Sequence, residues 1–171
     1  MSRAVNLTIK PLKNRKDFEL VVNAIQKKYI NIDKKYFVHK YLFPTHFSMG
    51  NIFINHVSSA IDISDGFYGD LENLINEKKI GASINSSLIP LSIKTKQLIR
   101  NKIINFNYLL SAGDDYEILF TSNSINSSII KRLAKNNNIK ITKVGRIIEK
   151  KGLHLDGKKI KIINKSFQHF F

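Results

Sequence analysis

Acidic side chains are scarce in this chain and concentrated at two places. Its 171 residues include 28 lysines and arginines against 13 aspartates and glutamates, which gives a formal net charge of +15. Seven of the acids lie in two short stretches, 62–72 and 114–117. Like charges repel, and folding does not require them to cluster. The clustering therefore indicates a bound cation, and Mg²⁺ is the first candidate because it prefers hard oxygen ligands.

The first acidic motif is Asp62-Ile63-Ser64-Asp65-Gly66. On a strand, residues two apart share a face, so Asp62 and Ser64 are predicted to project together while Ile63 enters the core. Asp65-Gly66 then turns the chain into a helix, whose partially positive N terminus suits a metal-bridged phosphate. The alternative interpretation is an ordinary N-cap at Asp65 and a solvated strand residue at Asp62.

The second acidic motif is Ser111-Ala112-Gly113-Asp114-Asp115-Tyr116-Glu117. Small residues lead into adjacent acids at the head of a predicted strand, and alternation places Asp115 and Glu117 on one face with Asp114 on the other. A polar loop before a buried strand would produce the same pattern. Two such clusters in an acid-poor chain favour the functional interpretation.

Hydrophobic periodicity predicts alternating helices and strands after an all-helical beginning, an α/β layout. Helices are expected at 16–30, 34–42, 49–56, 67–78, 95–104 and 124–136. Strands are expected at 59–63, 80–89, 115–121 and 139–148, followed by a hairpin over 153–163 that turns at Asp156-Gly157.

Composition excludes several classes of protein. The chain has no cysteine, which rules out disulfides and thiolate metal sites and fits a reducing, cytoplasmic location. No run approaches the roughly 20 apolar residues of a membrane helix. The five histidines share no metal-ligand spacing. The cations are 23 lysines and only five arginines, and arginine is the residue that binds phosphate bidentately, so the charge alone is weak support for nucleic-acid binding.

The two motifs together resemble the C-terminal half of the thiamine-phosphate kinase family. The resemblance is carried by Ser59–Gly66 followed by Asp70-Leu71, and by Ser111–Phe120. Further matches in order cover roughly residues 36–171 and end in Phe167-Gln168-His169-Phe170. The first motif is shared with the wider superfamily of aminoimidazole ribonucleotide synthetase, whereas its combination with the second points to the thiamine enzymes.

The resemblance implies a fold, an activity and site residues. The fold would be an α/β sandwich with a mixed sheet covered by helices. The activity would be Mg²⁺-dependent transfer of the γ-phosphoryl group of ATP to thiamine monophosphate, without a covalent protein nucleophile. It implies that Asp62 and Asp65 ligate Mg²⁺, that Ser64 contacts ATP and that Asp114 contacts the thiamine moiety. Asn164 stands where the family has an aromatic ring stacked on the substrate, a contact that Phe167 could replace.

The resemblance also predicts the domain organisation. Residues 1–45 would be a helical lead-in segment and residues 46–171 the α/β substrate-side domain. The family's N-terminal ATP-binding domain is expected to be absent. Activity would then need such a domain, either encoded separately or missing from this sequence. A homodimer is a further possibility that the resemblance leaves open. The competing hypothesis is a non-catalytic basic module that keeps the fold and binds nucleic acid or another anionic partner.

Overall fold

The computed structural model describes residues 34–43, 50–76, 80–113 and 117–160. The predicted helix at 16–30 and the end of the chain from residue 161 lie outside these ranges. The helices are α1 (Lys34–Leu42), α2 (Gly50–Phe53), α3 (Phe67–Asn76), α4 (Ile93–Arg100), α5 (Phe106–Leu110) and α6 (Ser127–Asn136), with 3₁₀ turns at Ser86–Leu88 and Ser124–Asn126. The strands are β1 (Ser59–Asp62), β2 (Gly81–Ile84), β3 (Ile118–Thr121), β4 (Gly145–Ile148), β5 (Gly152–Leu155) and β6 (Lys158–Lys159).

The strands of the described ranges form two sheets. A four-stranded mixed sheet has the order β4-β2-β5-β6, in which β2 pairs antiparallel with β4 and parallel with β5. A separate antiparallel pair joins β1 to β3 and sets Asp62 opposite Ile118. The β1–β3 pair therefore brings the ends of the two acidic motifs to the same place, although they are far apart in sequence. The architecture is the α/β fold with a mixed sheet that the sequence predicts.

Helix α3 anchors the site to the main core. Its predicted inner face is largely confirmed, because Leu71 and Ile75 are buried and Leu74 is half-buried. The helix packs on β1, β2 and β5. The main core also contains Ala82 and Leu153 from the mixed sheet. Phe37 of α1 lies in this core as well, so the last helix of the predicted lead-in segment packs with the α/β body.

A second, smaller core lies behind the β1–β3 pair. It consists of Phe53 from α2 with Ile130 and Ala134 from α6. The Phe53 ring stacks on that of Phe120, with centroids 6.3 Å apart. Because Phe120 belongs to β3, this cluster supports the strand that follows the second acidic motif.

Several predicted elements are shorter in the structure. The expected strand 80–89 ends at Ile84, because the Asn85 side chain accepts the Ser87 N–H at 3.0 Å and starts a 3₁₀ turn. The expected strand 139–148 starts only at Gly145, which pairs with the last residue of β2. The helix expected at 49–56 is reduced to the single turn of α2, which is followed by a turn over 54–56.

The helix predicted at 95–104 ends earlier than expected, and a second helix that was not predicted follows it. Helix α4 starts two residues earlier than predicted, at the Ser92 cap, whose hydroxyl accepts the Thr95 N–H. It ends at Arg100, and Lys102 adopts a left-handed backbone with φ of 56°. Asn105 then caps α5, which the periodicity did not predict. By contrast, α1 and the hairpin turn at Asp156-Gly157 lie where the sequence predicts them, whereas α6 ends as predicted but starts three residues late, after the 3₁₀ turn at Ser124–Asn126.

None of the helices in the described ranges is long and apolar enough to span a membrane.

Candidate phosphate and metal site

The first acidic motif forms the end of β1 and the bend that leads into α3. Strand β1 ends at Asp62, whose side chain is exposed, and Ile63 is buried in the main core as predicted. Ser64 and Asp65 are half-buried and lie in the bend rather than on the strand. Strand alternation therefore does not fix Ser64 beside Asp62, contrary to the prediction. The relative position of Asp62 and Ser64 is set by the bend that follows β1.

The second motif packs directly against this bend through the backbone. The Ile63 N–H donates to the Glu117 carbonyl at 2.8 Å, which extends the β1–β3 pairing by one step. A methyl group at Gly113 would overlap the Ser64 carbonyl oxygen. Gly66 has φ of 98°, and a methyl group there would lie 2.8 Å from the Ala112 carbonyl oxygen. Glycine is thus required at both positions for the two loops to touch.

Asp70, in the first turn of α3, is hydrogen-bonded to the backbone of the bend. Its side chain is only 2% exposed, and its Oδ2 accepts the Asp65 N–H at 2.9 Å. Its own N–H donates to the Gly66 carbonyl at 3.0 Å, the first hydrogen bond of the helix. Residue 70 is therefore joined to the bend at two points.

The three aspartates of this region interact electrostatically. Burial raises the pKa of the Asp70 carboxyl above its ordinary value. Backbone N–H groups of Asp65 and Ser64 oppose that rise, while the negative charges of Asp65 and Asp62 add to it. The Coulombic effects show that the carboxylates of Asp62 and Asp65 act on the same buried group. They lie at the same end of α3 as the helix N terminus, which carries partial positive charge.

The donor set fits a divalent cation that is shared with phosphate. Among residues 34–43, 50–76, 80–113 and 117–160, no three or more histidine, aspartate or glutamate side chains are grouped so that they could hold a metal ion by themselves. Within those ranges neither Asp62 nor Asp65 has a hydrogen bond or ion pair that occupies its carboxylate. Mg²⁺ commonly uses one or two carboxylates and completes its shell with water and substrate phosphates. Asp62 and Asp65 match that chemistry as two hard oxygen donors.

The N-cap alternative for Asp65 is not what the structure shows. Its carboxylate accepts no hydrogen bond from the first turn of α3, as far as the described residues go; its backbone N–H is instead bound by Asp70. Sequence analysis assigned no role to Asp70. The available signal was an acidic residue in the first helical turn, from which a side chain can reach back to a backbone N–H that precedes the helix.

Three predicted substrate residues, Asp114, Asn164 and Phe167, lie outside the described ranges. The structure does describe the residues that lead to Asp114. Helix α5 ends at Leu110, directly before the second motif, and the Tyr68 hydroxyl of α3 donates to the Asn107 side chain at 3.1 Å. Of the histidines in the described ranges, His154 is buried in β5, His39 is exposed and His56 is half-buried.

Comparison with known proteins gives a consistent result. The chain is 38% identical over 141 residues to a thiamine-monophosphate kinase of Buchnera aphidicola subsp. Schizaphis graminum, which covers 79% of this chain and 43% of that protein. It is 36% identical over 149 residues to the enzyme of the same name from Buchnera aphidicola subsp. Acyrthosiphon pisum, with 84% and 45% covered. No family model matches the chain.

A solved structure shares the fold. AaThiL complexed with AMPPCP and TMP superposes with a TM-score of 0.67 at 26% identity, over 90% of this chain and 47% of that one. The chain thus spans less than half the length of the relatives that it matches. Together with the fold, these matches show that the chain is a homologue of the C-terminal part of the thiamine-monophosphate kinases.

Proposed function

We propose that the chain is the C-terminal, substrate-side domain of a thiamine-monophosphate kinase, which transfers the γ-phosphoryl group of ATP to thiamine monophosphate. The observation that carries the proposal is the contact between the two acidic motifs, in which Ile63 binds Glu117 and Gly113 packs on Ser64. The names of the relatives and the AMPPCP and TMP complex of AaThiL support the same activity.

Each residue of the first motif has a role in this proposal. The carboxylates of Asp62 and Asp65 hold Mg²⁺, the Ser64 hydroxyl contacts ATP, and the N terminus of α3 favours the bound phosphates. Bound Mg²⁺ would neutralise negative charge on those phosphates. Phosphoryl transfer to an already anionic acceptor depends on charge neutralisation and positioning, so these residues orient the reactants and no covalent protein nucleophile is needed.

The substrate side of the proposal rests on residues beyond the described ranges. Asp114 contacts the thiamine moiety, and the Phe167 ring stacks on the substrate in place of the aromatic residue that Asn164 replaces. The proposal keeps residues 46–171 as this substrate-side domain and residues 1–45 as a lead-in segment, of which Phe37 in α1 packs in the main core. Because the relatives are about twice as long, an N-terminal ATP-binding part on the same or another chain completes the site. The cysteine-free composition fits the reducing cytoplasm as its location.

The activity is tested by supplying the missing half of the relatives. The 171-residue chain is mixed with the N-terminal part of the matched Buchnera enzyme, ATP, Mg²⁺ and thiamine monophosphate, and thiamine diphosphate is measured by chromatography. We expect product from the mixture. A folded mixture that binds ATP but makes no thiamine diphosphate would count against the kinase assignment.

The metal site is tested on the chain alone with Mn²⁺, whose free form is measured by electron paramagnetic resonance. We expect Asp62→Asn and Asp65→Asn each to weaken Mn²⁺ binding by at least about 10-fold, since changing even a residue that only holds a ligand typically costs 10–100-fold. Asp156→Asn removes a carboxylate that binds the Ser86 N–H and serves as the matched control. Equal affinities in all four proteins would overturn the metal site and favour the basic-module alternative.

A further inference from the structure

We infer that Asp70 is a positioning residue for the proposed kinase reaction: it holds the backbone of Asp65 and thereby sets where the Asp62 and Asp65 carboxylates stand. The inference rests on the proposed function for its ligand and on the structure for its geometry. Asp70 does not itself reach the reactants, because its side chain is 2% exposed and its Oδ2 is occupied by the Asp65 N–H at 2.9 Å.

The bend between β1 and α3 needs such a support. Asp65 lies after the last residue of β1 and before the first residue of α3, so neither element supplies its N–H with a partner. The Asp65 N–H is partly buried; leaving such a group without a partner is costly, and a bend without internal hydrogen bonds is poorly defined. Asp70 meets both needs, since its position is fixed by the helix through its own N–H bond to Gly66.

The electrostatics around residue 70 indicate that its carboxylate serves the hydrogen bond to the Asp65 N–H. Asp62 and Asp65 both repel negative charge at Asp70, so a buried carboxylate at this position is unfavourable unless its acceptor oxygens are used. Removing a residue that orients a metal ligand typically weakens metal binding by about 10–100-fold. The effect of Asp70 should therefore appear in metal affinity although it is not a ligand.

The experiment compares Asp70→Ala with Asp70→Asn in the full chain. Asparagine keeps an acceptor oxygen at the same reach and loses the charge, whereas alanine loses both. We expect Asp70→Ala to weaken Mn²⁺ binding by about 10-fold or more and to speed hydrogen exchange of the Asp65 amide. Asp70→Asn should retain Mn²⁺ affinity to within about 3-fold and keep that amide protected.

Two controls separate positioning from general stability. Asn85→Ala removes another side chain that caps a backbone N–H, that of Ser87, and Asp156→Asn removes another acid that does so. Both should leave Mn²⁺ affinity unchanged. Urea unfolding without metal reports the stability of every variant, and Asp70→Ser, whose side chain is too short to reach Asp65, replaces Asp70→Ala if the latter does not fold.

The outcomes are distinct. Unchanged Mn²⁺ affinity and amide protection in a folded Asp70→Ala protein would overturn the inference. Equal losses in Asp70→Ala and Asp70→Asn would also overturn it, because the charge rather than the hydrogen bond would then matter. If the wild-type chain binds no Mn²⁺ at Asp62 and Asp65, the proposed function fails at its metal site, while protection of the Asp65 amide still decides whether Asp70 holds the bend.

Discussion

At the scale of single residues, the glycines of the two motifs matter as much as the acids. Gly66 and Gly113 allow the backbones of the two loops to touch, and this contact places the second motif beside Asp62 and Asp65. The chemistry that the acids suggest therefore depends on residues that have no functional groups.

Gly66→Ala tests this contact. The substitution adds a methyl group at φ of 98° and 2.8 Å from the Ala112 carbonyl oxygen, which combines backbone strain with overpacking. We expect the free energy of unfolding, measured in urea, to fall by about 2–4 kcal/mol.

Gly157→Ala is the matched control for this substitution. Gly157 also has a positive φ, 81°, but a methyl group there meets nothing within 4 Å. Only the backbone strain remains, so we expect a loss of about 1 kcal/mol. Equal losses in the two variants would show that the packing of the two loops contributes nothing to stability.

At the scale of elements, side-chain caps decide where helices and strands end. Asn85 ends β2, Ser92 begins α4 and Asn105 begins α5, each by accepting a backbone N–H. Asp156 connects the turn after β5 to the 3₁₀ turn at Ser86–Leu88. Its Oδ1 accepts the Ser86 N–H at 2.9 Å.

The Asp156 contact makes stability depend on pH. Hydrogen bonds from the Ser86 side chain and backbone lower the pKa of the Asp156 carboxyl below its ordinary value. Between the folded and unfolded pKa values the unfolded chain binds more protons, so stability rises with pH. The contribution is complete above the ordinary pKa and is lost as pH falls through the lowered one.

We therefore expect the difference in unfolding free energy between wild type and Asp156→Asn to be constant from pH 7 to about 5 and to shrink below about 4. Urea unfolding at each pH measures it. The difference for Asn85→Ala, which removes no titrating group, should not change over that window. A wild-type advantage over Asp156→Asn that persists undiminished at pH 2.5 would contradict the assignment.

At the scale of the whole molecule, the charge has an effect separate from function. At a formal net charge of +15, the positive side chains repel one another more strongly in the compact folded state than in the expanded unfolded chain. Salt screens that repulsion, since the Debye length falls from about 30 Å at 0.01 M to about 8 Å at 0.15 M ionic strength.

We expect the free energy of unfolding to increase when NaCl is raised from 0.01 to 0.15 M. Choline chloride at equal ionic strength should give the same increase, because screening does not depend on the identity of the cation. A stability that decreases with both salts would mean that attractive ion pairs outweigh the net repulsion.

The sequence was informative wherever one short segment determines the result. Helix α1 spans the predicted residues, helix α6 ends where predicted, and Asp156-Gly157 forms the expected turn, because these features depend on neighbouring residues. Strands β2 and β4 were predicted too long, since their lengths depend on each other and on the Asn85 cap. The helix predicted at 95–104 ends at Arg100, four residues early, because periodicity does not register the left-handed residue Lys102.

For the site, the sequence alone determined which residues are proposed to carry the chemistry, the acids of 62–65, through their clustering and their resemblance to the thiamine-phosphate kinase family. Only the tertiary structure decided how they are held. The Ile63–Glu117 hydrogen bond and the Gly113–Ser64 contact join segments that are distant in sequence, and no local pattern encodes such a pairing. The contact of Asp70 is local, five residues back along the chain, but only the structure showed that its side chain turns inward to the Asp65 N–H rather than outward to water.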